Sequence, residues 1–141
     1  MKSSELELEL CPERLRTADL EAVDLSGADL SGALFRGCDL RDTLLAGANG
    51  SDLTLLECDA RGIALSKTQL DGARFLECNL EDADLSELQT NALALSGAML
   101  RGASFKGAKL TAVMLDESDL GWTDFSDADI EKTSFVGSDL D

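Results

Sequence analysis

The sequence predicts an all-β solenoid, a chain wound into closed coils of short extended sides. Two observations lead there. Large apolar residues recur at every fifth position, as at Leu25, Leu30, Phe35 and Leu40. Five steps turn a helix by about 500°, so successive members point about 140° apart, and on a strand an odd spacing alternates faces. One interior collects every member only if the backbone turns a corner once per pentapeptide. The second observation is that this frame runs from residue 18 to residue 140 without an insertion or deletion.

Within that frame each position has a job. Of the 25 centres from Leu20 to Leu140, 22 are Leu, Ile or Phe, and all five Phe are centres. Two residues before the centre, 21 of 25 positions hold Ala, Cys, Ser, Thr or Val. Two residues after it, a corner needs a residue tolerant of positive φ, as at the third position of a type II turn. Ten of the twelve Gly fall there, among them Gly27, Gly62 and Gly97.

Ala18-Asp19-Leu20, Ala28-Asp29-Leu30, Cys78-Asn79-Leu80, Ala83-Asp84-Leu85 and Ala128-Asp129-Ile130 resemble the A(D/N)LXX motif of the pentapeptide-repeat family. The resemblance covers residues 18–141 and implies a right-handed quadrilateral β-helix with four pentapeptides per coil. Residues 20 apart then stack, and the repeats make about six coils, roughly 30 Å of rod at about 4.8 Å per strand spacing. Leucine-rich and hexapeptide repeats have other periods.

Residues 1–17 precede the frame. Glu5 to Leu10 alternates Glu and Leu like a half-buried strand, and Pro12 ends it before Arg14 and Arg16. The expected role is a cap in which Leu6, Leu8 and Leu10 cover the first coil. The stretch lacks the basic start and apolar run of a targeting signal, and no window approaches a transmembrane helix.

Three centres fail: Gly50, Ala60 and Thr90. The inward positions beside them are the four large ones, Leu53, Ile63, Leu88 and Leu93. Interiors pack near crystal density, so the missing volume is expected to be replaced locally, with distortion at about 49–64 and 87–95.

Cys38, Cys58 and Cys78 fall in one inward column under 20-residue stacking. Zinc or iron-cluster ligation would need a fourth ligand and room, and the chain has no His. Cysteine as a small buried hydrophobe is the simpler reading, so no metal and no cofactor are expected. Reduced thiols fit a bacterial-type cytoplasm, with Cys11 left over.

The repeats run to Leu140, one residue before Asp141, with no terminal helix in the sequence. Trp122, Phe125, Ile130 and Phe135 are therefore candidate contact residues at an open last coil, with a homodimer through that coil as the expectation and a Trp122 folded over the core as the alternative. A second candidate interface lies on the face centred at 35, 55, 75, 95, 115 and 135. Its outward residues include Leu34, Arg36, Leu56, Arg74, Leu76, Met114 and Val136, apolar groups rimmed by charge.

The formal charge is −16, and residues 18–141 hold 24 acidic and 9 basic residues, hence −15. Duplex DNA of about 30 Å carries roughly 18 negative charges. The quinolone-resistance members of the family are rod-shaped DNA mimics that bind type II topoisomerases, so the resemblance implies DNA gyrase as an alternative partner. The charge is unevenly spread: residues 60–110 hold six acids and six bases, and the acid is concentrated at 19–29 and above all at 116–141. Many Asp also occupy the family's Asp/Asn position, where a short side chain bonds backbone at a bend.

Catalysis has little to work with. Neither His nor Tyr is present, and the carboxylates lie on convex faces. The column Asp19, Asp39, Asp59 is offset by Arg41 and Arg61 as a charge ladder. There is no phosphate loop and no basic patch for direct nucleic-acid contact. The expectation is a non-catalytic protein-binding rod with an unidentified protein partner, no membrane contact and no cofactor.

Overall fold

A computed structural model of the chain describes the strand Arg14–Arg16 and residues 19–141. The expected cap residues Leu6, Leu8 and Leu10 lie outside the described residues, as does Cys11.

Every fifth residue from Ala22 to Lys132 and Gly137 has φ between 52° and 73°; ten are Gly and fourteen are not. This is the corner. At most corners the chain reversal is closed by the amide three residues after the centre, as in Val23 N to the Leu20 carbonyl (3.0 Å) and Ala98 N to the Leu95 carbonyl (3.0 Å). Between corners the backbone is extended and bonds to the coils on either side.

Coils stack in parallel at a strict spacing of 20. The ladder Asp19↔Asp39↔Asp59↔Asn79↔Met99↔Asp119↔Asp139 climbs the molecule in six steps. One sheet holds β1 (Arg14–Arg16), β2 (Leu34–Arg36), β3 (Thr54–Leu56) and β4 (Arg74–Leu76) in that order. Leu15 pairs with Phe35, so the ladder reaches back into the segment that precedes the repeat frame. A second sheet holds β5 (Gln89–Asn91), β6 (Lys109–Thr111) and β7 (Asp129–Glu131).

The two sheets occupy neighbouring faces: β4 centres on Phe75 and β5 on Thr90, five residues short of the next coil's equivalent, Leu95. The corners that follow Phe35, Leu55 and Phe75 lack the closing amide bond, while the corner after Leu95 has it.

The core is one continuous column of centre and small inward side chains, from Leu20 to Leu120. Inward hydroxyls are satisfied by the coil below. Thr43, Thr68 and Ser118 donate to the carbonyls of Leu20, Leu45 and Leu95 at 2.8, 2.8 and 3.0 Å, always 23 residues earlier. The exception is Thr90, buried with no partner for its hydroxyl among the described residues.

The expected distortion at 49–64 is not found. Asn49↔Gln69 and Asp59↔Asn79 keep the spacing of 20. Leu53, Ile63, Leu88 and Leu93 are all buried, and Leu53 Cδ2 lies 3.4 Å from where a Gly50 Cβ would stand. Side chains refill the volume, so the backbone does not move. At 87–95 the ladder also keeps its spacing, and the change there is the passage of strand structure to the adjacent face.

Candidate functional site

Parallel register brings residues of the first candidate surface into rows. Leu34, Thr54 and Arg74 align across β2, β3 and β4, as do Arg36, Leu56 and Leu76. Arg74 continues through Ala94 and Met114 to Ser134. The apolar members differ in exposure: Leu34, Leu56 and Leu76 are half-buried, whereas Met114 is 48% and Val136 72% exposed. The most exposed apolar members of this face lie at its upper edge.

That edge runs into the second candidate. Val136 belongs to the last coil, together with Trp122 (81% exposed), Leu140 (65%) and Ile130 (39%). Phe125 stacks on Phe105 at 5.1 Å and 3°, and Phe135 meets Phe125 edge-on at 6.1 Å and 79°. The three rings continue the core upward, but no described coil covers Phe125, Ile130 or Phe135. Trp122 does not fold over them. It sits at a corner with φ 58°, where the left-handed backbone points its indole outward. Leu140, absent from the expected contact residues, has the same signal as Ile130: a centre of the last coil.

Acid surrounds this end. Residues 116–141 contain nine Asp or Glu and one basic residue, Lys132. Asp119 has Arg101 Nη1 at 3.4 Å. Lower in the rod three acids are matched: Arg41 reaches Asp39 at 2.7 Å, Glu21 at 3.2 Å and Asp59 at 3.9 Å, and Arg61 reaches Asp59 at 2.7 Å. The charge ladder read from the sequence is present. Asp19, Glu21 and Asp39 bring carboxylates within 4.8 Å of one another, but the Arg41 guanidinium already serves two of them as counter-charge.

The Asp/Asn position of the repeat works on the backbone. Asp24 Oδ1 accepts the Ser26 amide at 2.9 Å, Asp59 the Arg61 amide at 3.3 Å, and Asn49 the Ser51 amide at 3.1 Å. The Arg41 hydrogen bond holds the Asp39 carboxyl down at about 2. Backbone and side-chain bonds from Ser26 lower Asp24, and those from Ser126 do the same for Asp124. These carboxylates stay charged while fastening the bends.

The cysteine column is also present, with Cys38, Cys58 and Cys78 all buried. The adjacent Cys38 side chain pulls the Cys58 thiol down, but its bond with Cys78 and its burial outweigh this and push it up to about 11. Cys58 in turn lowers Cys78.

Comparison with known proteins places this architecture. The pattern described as "Pentapeptide repeat region" matches residues 28–105, and "Pentapeptide repeats (8 copies)" matches 103–141. The chain belongs to the pentapeptide-repeat family. Among solved structures, this pentapeptide-repeat protein is similar to HetL, involved in heterocyst differentiation regulation in the cyanobacterium Nostoc. The two share 28% identity over 100% of this chain and 69% of HetL, with a TM-score of 0.75. Two trypsin-treated variants of QnrB1, a plasmid-mediated fluoroquinolone resistance protein, are 20% and 21% identical over 92% of this chain and 83% and 82% of theirs. Their TM-scores of 0.55 and 0.56 show a shared fold. No curated protein matches the chain. Among the described residues no helix is long and apolar enough to cross a membrane.

Proposed function

We propose that this pentapeptide-repeat protein is a non-catalytic rod that docks a partner protein on the apolar end of its last described coil and the adjoining Met114–Val136 edge. The observation that carries this reading is Trp122, 81% exposed beside Leu140, Ile130 and Val136. Large aromatics held out of a core are characteristic anchors of protein interfaces. A filled interior supports the same reading, since among the described residues the core column leaves no chamber to exclude water around a reaction. HetL's regulatory role is consistent with a scaffold that acts by contact.

Charge selects the occupant. Apposing two copies end to end would bring two acid-rich terminal segments together, whereas a partner with a basic rim around an apolar patch gains from them. The same acidity favours a second reading, in which the basic partner is a DNA-binding enzyme such as a type II topoisomerase. The Arg-matched ladder lower in the rod interrupts that negative surface on one column, at Glu21, Asp39 and Asp59. The thiols of Cys58 and Cys78 suit a reducing cytoplasm.

A photo-crosslinking residue replacing Trp122, expressed in the native host, tests the proposal. The expected result is one discrete heterologous adduct, weakened by salt and lost in Ile130→Glu. An adduct consisting of a second copy, or adducts unaffected by Ile130→Glu, would overturn it. A supercoiling assay with and without quinolone decides the topoisomerase reading, which fails if the protein leaves gyrase unchanged.

A further inference from the structure

Cys58 and Cys78 stand one coil apart and use equivalent acceptors. Cys58 Sγ donates to the carbonyls of Leu56 at 3.4 Å and Phe35 at 3.5 Å. Cys78 Sγ donates to those of Leu76 at 3.4 Å and Leu55 at 3.3 Å. Equivalent bonds fix the same rotamer, and in-register pairing of Asp59 with Asn79 relates the two residues by translation along the rod. Their sulfurs are therefore about one strand spacing apart, about 4.8 Å.

That separation selects among sulfur chemistries. A disulfide needs sulfurs about 2.05 Å apart and Cβ atoms within about 4.5 Å, while translation keeps the Cβ atoms at the wider strand spacing. Tetrahedral zinc needs four ligands, and thiols stacked in a line do not converge on one point. A two-coordinate ion asks only for sulfur on opposite sides. At a metal–thiolate distance of about 2.3 Å, its two ligands stand about 4.6 Å apart. Stacked thiols meet that requirement with little movement.

The outer surface over this pair has matching chemistry. Cys58 and Cys78 border a shallow depression that Met99, Glu57 and Glu77 also line. Met99 is exposed, and its thioether is a soft donor. Glu57, Glu77 and Asp59 outnumber the one cation of the lining, Arg61, and draw cations toward the opening.

We propose that Cys58 and Cys78 form a binding site for a soft monovalent d10 cation, copper(I) or silver(I), held linearly between their sulfurs with Met99 at the mouth. The ion replaces two thiol protons, which pass to solvent, and no electron is transferred. Thiolate sulfur is the ligand such ions prefer.

The test uses the full chain with Cys11→Ser, reduced and oxygen-free, titrated with silver(I) and, separately, with copper(I) against a chromophoric chelator. Serine variants suit the column because Ser118 occupies it and bonds the Leu95 and Asp116 carbonyls at 3.0 and 3.4 Å. Circular dichroism checks their fold. The expected result is one ion per chain by native mass spectrometry, two protons released per ion, and two sulfur neighbours by X-ray absorption. Cys38→Ser retains binding. Cys58→Ser and Cys78→Ser each weaken it at least about 100-fold, more than loss of an outer-shell partner does. Full binding in Cys78→Ser, or less than one tightly held ion in the parent, overturns the assignment.

Discussion

Gly50 gives up a centre side chain, and the space is already taken. A Cβ there would meet Leu70 Cδ2 at 2.9 Å, the Gln69 carbonyl oxygen at 3.1 Å and Leu53 Cδ2 at 3.4 Å. Gly50→Ala is therefore expected to destabilise by about 1–3 kcal/mol through overpacking, and Leu53→Ala by about 2–5 kcal/mol through an unfilled void. The double variant should lose less than the sum, because removing Leu53 relieves one of the contacts; urea unfolding of the four-member cycle measures the difference. Thr90 presents the reverse case, a buried hydroxyl with no partner. Thr90→Val removes the unsatisfied group at nearly constant shape, so stability should rise by about 1 kcal/mol in the same assay. Asp39 carries a pH dependence. Its carboxyl sits at about 2 when folded because of the Arg41 hydrogen bond, against about 3.9 when unfolded. A depressed folded value contributes stability that is full above about pH 4 and is lost as pH falls through about 2. Arg41→Gln should return the Asp39 carboxyl toward its ordinary range, followed by carboxyl-carbon NMR titration.

Corners and sheets are the elements of this fold, and they differ in how plainly the sequence announces them. Positive φ occurs every fifth residue, at the ten glycines expected from their spacing. The other fourteen corners hold residues such as Asp42, Glu57 and Trp122, which individually give no such signal; the register of the frame forces them into it. Gly97 separates conformation from space. It has φ 73° and nothing within 4 Å of an added Cβ, so Gly97→Ala should cost about 1 kcal/mol, the left-handed penalty alone. A loss as large as that of Gly50→Ala would refute that separation. The passage of strand structure from the Phe75 face to the Thr90 face was not legible. Both faces carry the same repeat, and what distinguishes them is whether the corner closes its amide bond, a choice settled by the coils stacked above and below.

Across the whole molecule, charge and apolar surface separate along the rod. Arg41 and Arg61 match Glu21, Asp39 and Asp59 in the lower coils, while residues 116–141 gather acid around exposed Trp122, Ile130 and Leu140. Repulsion between two such ends predicts a monomer by light scattering at micromolar concentration and moderate salt, in place of the homodimer expected from the sequence. A stable dimer would show that apolar burial outweighs the like charges.

The sequence by itself determined the coil, the 20-residue stacking and the columns of centres, thiols and acids. A five-residue pattern repeated without a break permits only one way to place every large side chain inside. Tertiary structure alone decided which outward leucines are shielded, that Trp122 stands free, and that the Thr90 hydroxyl goes unpaired. Those outcomes depend on neighbours 20 residues away, whose side chains compete for the same space, and no single repeat encodes the result of that competition.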